Sequence, residues 1–255
     1  MSVLDTRLPP RLRGAQPLAG MFLGIPSPAL AEMCGYAGFD FVIIDNEHGP
    51  ASLETTEHLV RAARCGGTLP VVRTAEADIL RVLDAGASGV QVPAVNSAAQ
   101  ARHIVEACKY PPLGRRSAAF TSRAGGYTFF GGTAQIERAN EGVAVILMIE
   151  TAAALADLDA IVQVRGIDAL FVGLSDLALS MGHPGDNLHP RVQAALERIF
   201  QRAAAAGIAS GALAPSPMDF QRYAAMGARY LPMTMASVIA GALREAIAAR
   251  KGASR

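Results

Sequence analysis

Apolar residues along this chain gather in eight short, nearly unbroken runs, at 18–25, 39–45, 69–74, 89–95, 143–150, 169–174, 208–214 and 229–234. Hydrophobic runs that do not alternate with polar residues mark strands buried on both faces, the habit of parallel sheets. Between the runs, segments such as SLETTEHLVRAARCGG, AAQARHIVEACKY and RVQAALERIFQRAAAAG place apolar residues at helical spacing, and several end in glycine as helix C-termini do. Eight βα units in succession predict a closed (β/α)8 TIM barrel, with a doubly wound open sheet as the weaker alternative. One interruption is long. Residues 111–141, rich in Gly, Arg and aromatics, are too long for an ordinary connection and read as an active-site loop inserted in the barrel.

Length and composition narrow this picture. At 255 residues and 51% hydrophobic, the chain suits a single barrel domain spanning 1–255. A net charge of +1 with scattered Lys and Arg leaves no electrostatic footprint for nucleic acid or an anionic membrane surface. The N-terminal stretch MSVLDTRLPPRLRG lacks the apolar core of an export signal, and no apolar run nears the roughly twenty residues of a membrane span. Cys34, Cys65 and Cys108 are far apart in apolar helical patterns, which fits reduced core thiols. A soluble cytoplasmic protein is expected.

Barrel enzymes build their sites at the C-terminal ends of strands, so the polar residues standing there carry the chemistry. Strand two ends in Asp45, Glu47 and His48, strand three in Arg73, strand five in Glu150, and strand six runs into Gly173, Ser175 and Asp176. Taken singly, each has a structural reading as a cap or an ion pair; together on one rim they point to a site. Glu150 and Asp176 leave neighbouring strands, and two hard carboxylates suit a divalent metal, Mg²⁺ or Mn²⁺, that shares its coordination with a substrate. Amides in VGLSDL favour a carboxylate, with Gly173 allowing close approach. Arg73 brings a permanent charge for an enolate oxygen, and histidine, here His48, is the residue type suited to a general base near neutrality. This set describes a 2-oxo acid converted to its enolate. The two lysines, Lys109 and Lys251, stand at no strand end, so a Schiff-base aldolase is disfavoured.

In order along the chain, FDFVIIDNEHGP, LPVVR, LDAGASGVQVP, YPPLGRR, IET and FVGLSDLALSMG resemble the class II pyruvate aldolases of the HpcH/HpaI family, over about residues 18–245. The resemblance implies a barrel of the phosphoenolpyruvate/pyruvate-domain type and cleavage of a 4-hydroxy-2-oxo acid to pyruvate and an aldehyde. It also implies a divalent metal (Mg²⁺, Mn²⁺ or Co²⁺) and a homo-oligomer, usually a hexamer. By position, Glu150 and Asp176 match the family's metal ligands, His48 its base, Arg73 its enolate stabiliser, and the amides near Ser175 and Asp176 its pyruvate carboxylate contact. Asp84 matches an acid paired with the catalytic His, although its place before strand four puts it on the opposite rim of a simple barrel. A neighbouring subunit could then supply it.

Two positions depart from the family pattern. Met148 stands where relatives often carry a substrate-binding Gln, and PMTMASV replaces a common Gly-x-Asp turn after strand eight. They keep open a catalytically silent oxo-acid-binding barrel; a CoA-thioester lyase of the citrate lyase β-like type is the rival among enzymes, and the lack of an extended basic patch for a nucleotide tail counts against it. Of the remaining polar residues, His58 and His103 read as surface or packing residues and His183 and His189 as turn residues. One of Arg116, Arg123 and Tyr127 is expected to reach a distal carboxylate or a neighbouring subunit.

Overall fold

The computed structural model describes residues 3–252. In chain order the elements are α1 (Leu8–Leu12), β1 (Leu18–Leu23), α2 (Pro28–Tyr36), β2 (Phe41–Asp45), α3 (Leu53–Cys65), β3 (Leu69–Arg73), α4 (Ile79–Asp84), β4 (Gly89–Val92) and α5 (Ala98–Cys108). After them come α6 (Gly132–Gly142), β5 (Ala144–Ile149), α7 (Ala152–Ala156), α8 (Leu158–Ile161), β6 (Ala169–Val172), α9 (Leu174–Ser180), α10 (Pro190–Ala205), β7 (Ala209–Ala212), α11 (Pro217–Ala225), β8 (Tyr230–Thr234) and α12 (Met235–Gly252). The strands pair in parallel, each with the next, and β8 closes on β1. The eight apolar runs therefore form the expected barrel.

Strand residues divide by parity between two cores, which is why the runs do not alternate in hydrophobicity. Phe41, Ile43, Leu69, Val71, Ile146, Phe171 and Tyr230 fill the barrel interior, while Val42, Ile44, Val72, Val145, Leu147 and Ile149 face the surrounding helices. Inside, the Phe41 ring stacks on Tyr230 with centroids 4.2 Å apart. Helix α1 lies across the N-terminal mouth, where Leu8 and Leu12 join the interior core. That end is closed and the C-terminal end is left for chemistry.

The interior parity also predicts what meets the open mouth. Continuing 41, 43 gives Asp45; 69, 71 gives Arg73; 146, 148 gives Glu150; 169, 171 gives Gly173. A polar residue placed on that phase at a strand end must point into the mouth, away from the helices.

Residues 111–141 correct one expectation within the chain. They follow the end of α5 and precede β5, a helix-to-strand connection, and such connections lie on the N-terminal rim, opposite the strand ends that carry barrel sites. Arg116 donates to Asp84, Arg123 to the Ala85 carbonyl, and Tyr127 contacts Glu57 and Arg61. No residue of 111–141 lines the cavity at the C-terminal mouth. Cys34 and Cys108 are buried thiols as expected, whereas Cys65 at the end of α3 is exposed.

Candidate active site

The turn after β2 is held by Asp45. Its carboxylate accepts two hydrogen bonds from Arg73, Nε to Oδ1 at 2.9 Å and Nη2 to Oδ2 at 2.6 Å. Oδ1 also receives the backbone amides of Glu47 and His48, at 3.1 and 3.2 Å. Burial opposes ionisation of Asp45, but the Arg73 hydrogen bonds and charge and the two amides outweigh it, and its carboxyl sits below the ordinary value. One side chain thus orients both the arginine and the segment carrying His48. The turn closes tightly on itself: a Cβ at Gly49 would lie 2.2 Å from the Asp45 carbonyl oxygen. Asn46 locks it from the other side, its amide donating to the Arg73 carbonyl at 2.9 Å and its side-chain oxygen accepting from Thr56 Oγ1 at 2.9 Å.

Arg73 reaches further. Its Nη1 lies 3.0 Å from Glu47 Oε2, and its guanidinium carbon sits 5.0 Å from the Phe22 ring centroid. His48 stands beside this group, with Nε2 3.8 Å from Glu47 Oε2 and its side chain 71% exposed. The ring is open to a reactant.

Across the mouth, Glu150 is buried, and its Oε1 accepts from the Ala94 amide at 2.6 Å. Ala94 adopts a left-handed φ of 53°, an uncommon state for a residue with a Cβ, and that conformation delivers the amide. Gly173 permits the approach from β6: a Cβ there would lie 2.5 Å from Glu150 Oε2. Burial pushes the Glu150 carboxyl above its ordinary value; the Ala94 amide opposes this, Asp176 and Glu47 add to it, and Arg73 relieves a little. Neither Glu150 nor Asp176 has an ion-pair partner among the described residues. A half-enclosed carboxylate pair lacking a cation fits a divalent metal ion in its donor chemistry. No group of three or more His, Cys, Asp or Glu side chains gathers for a metal among the described residues. Glu150 and Asp176 are the two carboxylates that a metal bound there would meet.

Asp45, Arg73, Met148, Gly173, Ser175 and Asp176 are among the residues that line one cavity of about 510 Å³ at this mouth. Met148, at the position expected to carry an amide, holds its sulfur 3.4 Å from Gln91 Nε2, and Gln91 Oε1 accepts from the buried Tyr230 hydroxyl at 3.1 Å. The interior amide is therefore tied to neighbouring side chains behind the cavity floor.

Among the anticipated residues, His48, Arg73, Met148, Glu150, Gly173, Ser175 and Asp176 share this rim. Asp84 does not. It ends α4 on the opposite rim, where Arg116 Nη2 binds it at 2.8 Å. Lys109, also away from the mouth, donates from a buried ammonium to the carbonyls of Asn140 and Val143, consistent with the absence of Schiff-base placement. His183 and His189 stack on each other with centroids 3.5 Å apart, beside a turn that brings Asn187 and Leu188 to the cavity. The anchoring roles of Asp45 and Ala94 were not read from the sequence. The interior parity of β2 was a usable signal for Asp45; nothing local announced Ala94.

A family profile described as HpcH/HpaI aldolase/citrate lyase matches residues 18–237. The chain belongs to this family. It is 42% identical over 208 residues to the 2-dehydro-3,6-dideoxy-6-sulfogluconate aldolase of Pseudomonas putida, covering 80% of each chain. It is 35% identical to the hydroxypyruvate/pyruvate aldolase of Pseudomonas aeruginosa, covering 99% of this chain and 95% of that one. A solved HpcH/HpaI aldolase/citrate lyase family structure from Burkholderia cenocepacia J2315 superposes with a TM-score of 0.91 at 33% identity, covering 97% of this chain and all 100% of that one. The kinship with named aldolases makes this HpcH/HpaI chain an enzyme of the aldolase type.

Proposed function

We propose that this HpcH/HpaI enzyme is a class II pyruvate aldolase, cleaving a 4-hydroxy-2-oxo acid to pyruvate and an aldehyde. The observation that carries the reading is the buried Glu150, its carboxyl raised above the ordinary value chiefly by burial, on the same rim as Asp176 and the tethered Arg73, which line the cavity. Glu150 and Asp176 would hold a divalent cation, Mg²⁺, Mn²⁺ or Co²⁺, which when bound supplies Lewis-acid polarisation of the 2-oxo group. The chain's own residues do the rest. Amides at the start of α9, near Ser175 and Asp176, receive the substrate carboxylate, and Gly173 leaves room for it. Arg73, fixed in orientation by Asp45, stabilises negative charge on the C2 oxygen as the C3–C4 bond breaks. His48 takes the proton from the C4 hydroxyl, the aldehyde departs, and a proton returned to C3 gives pyruvate. Met148 supplies no amide to the substrate, so Arg73 carries more of the oxygen contact here.

The assembly follows the same reading. No helix among the described residues is long and apolar enough to cross a membrane. Leu243 and Ile247 stand exposed on one face of α12, an apolar surface suited to another copy, and we place the chain in a cytoplasmic homo-oligomer, a hexamer as the family resemblance implies. In such an assembly Asp84 and the 111–141 segment would approach the cavity of a neighbouring copy, not their own. The aldolase names of the relatives weigh against the CoA-thioester lyase and the silent barrel.

Exchange of the pyruvate methyl protons with D₂O, followed by NMR with and without added Mg²⁺, Mn²⁺ or Co²⁺, tests the reading without knowledge of the aldehyde. Metal-dependent exchange, lost in both His48→Ala and Glu150→Ala, is expected. No exchange with any of the metals would overturn the aldolase assignment.

A further inference from the structure

The inner part of the cavity is assigned above; its outer part remains, and this is where the aldehyde half of a substrate must lie. The charged residues of this chain that line the whole cavity are Asp45, Arg73, Asp176 and Asp219. The single cation, Arg73, is already engaged by Asp45 and Glu47 at the end of β3. Asp219 sits in the first turn of α11, after β7, and in a closed ring of eight strands β7 is diametrically opposite β3. Its Oδ2 accepts from Ser216 Oγ at 2.5 Å, while Oδ1 has no hydrogen-bond partner among the described residues. The remaining wall on that side is uncharged, mixing apolar residues such as Leu188, Leu213 and Pro215 with the neutral polar Asn187, Gln193 and Thr234. A carboxylate or sulfonate arriving there would face Asp219, with no cation among the lining residues on that side to offset the repulsion.

We propose that the aldehyde partner of this enzyme carries no anionic group at its far end, and that Asp219 and Leu188 set this preference. The inference rests on the pyruvate aldolase reading and narrows its substrate to uncharged aldehydes, either alkyl or with a hydroxyl able to donate to Asp219 Oδ1. It separates this chain from the Pseudomonas putida relative, whose name gives a sulfonated substrate. In the synthetic direction C3 of pyruvate loses a proton and bonds the aldehyde carbon, whose oxygen gains one, so the two aldehydes of a matched pair can be compared directly.

The test measures kcat/KM for pentanal and for 4-oxobutanoate, which have the same reach but differ in terminal charge, with pyruvate and Mg²⁺ or Mn²⁺ on the intact protein. Pentanal is expected to be preferred by about tenfold or more, the scale of one or two screened charge contacts. Asp219→Asn should narrow that ratio about threefold or more by removing the repulsion. Because Asp219 also shares the helix cap with Ser216, Leu188→Arg on the exposed loop provides an independent variant, expected to move the ratio toward 4-oxobutanoate. Equal or better use of 4-oxobutanoate by the unaltered enzyme, or a ratio unmoved in both variants, would overturn the proposal. Pyruvate proton exchange run on the same sample separates the two failures: exchange without discrimination sinks only the substrate class, and absence of exchange sinks the aldolase reading beneath it.

Discussion

The two rims of the barrel handle their acids in opposite ways. On the N-terminal rim Asp40 pairs with Arg11, Asp168 with Arg13 at 3.2 Å, and Asp84 with Arg116 at 2.8 Å. Two of these acids also accept backbone amides from an adjacent strand, Asp40 from Ala19 and Asp168 from Val145. On the C-terminal rim Asp45 is similarly satisfied, yet Glu150 and Asp176 have no ion-pair partner among the described residues, and Arg73 acts on Glu150 only from a distance. Acids that only hold a fold together are paired, because an unpaired buried charge costs stability. Glu150 bears that cost, and a bound cation and substrate would relieve it.

The contrast is broken or sharpened most strongly at Glu150 itself. Glu150→Gln keeps the Ala94 hydrogen bond and the volume while removing the charge. Pyruvate proton exchange should fall by about a hundredfold or more, as when a group stabilising transition-state charge is lost. In chelator-treated protein the same change should leave the thermal midpoint no lower than in the unaltered chain. A clear drop in that midpoint would mean that Glu150 is a structural acid like those of the other rim.

Asp45 gives the opposite sign. Its folded-state carboxyl is lowered below the ordinary 3.8, so its pairing contributes stability above that value and loses it as pH falls through the lowered one. Asp45→Asn, which strips Arg73 of a paired charge only 8% exposed on the carboxylate side, should cost about 2 kcal/mol near pH 7 by denaturant unfolding. The deficit should shrink steadily below about pH 4, where the unaltered chain's unfolded carboxyl begins to protonate. A deficit that stays constant down to pH 2 would show that shape, not charge, is what Asp45 contributes.

Much of this division was legible in the residues. The eight runs announced the barrel, and FDFVIIDNEHGP, LPVVR, IET and VGLSDL placed His48, Arg73, Glu150 and Asp176 on one rim because strand ends of a parallel barrel share a face. That 111–141 stays away from its own chain's cavity was missed, although its position after a helix already put it on the far rim. Ala94 was invisible because left-handed backbone at an alanine is imposed by tertiary contact with Glu150, not by local preference. Asp219 and Leu188 were missed for a related reason: each lies several residues past its strand, where only the folded loops decide what faces the mouth.

The smallest expected effect bears on the residue whose place is most at odds with a catalytic role in one chain. Arg116 is almost fully buried, binds Asp84 and stacks its guanidinium 4.7 Å from the Tyr110 ring centroid, but its Nε and Nη1 have no hydrogen-bond partner among the described residues. Arg116→Met removes the ion pair and also two unsatisfied donors, keeps most of the apolar packing, and leaves Asp84 partly solvated, so the net loss should be only about 1 kcal/mol. If the N-terminal rim is structural, pyruvate proton exchange per folded molecule should be unchanged, and Asp84→Asn should behave in the same way. A large loss of exchange in both variants with little change in thermal midpoint would instead connect Asp84 to His48 across a subunit boundary. The paired acids of one rim would then serve the unpaired acids of a neighbour's, and the contrast between rims would hold within a chain but not within the assembly.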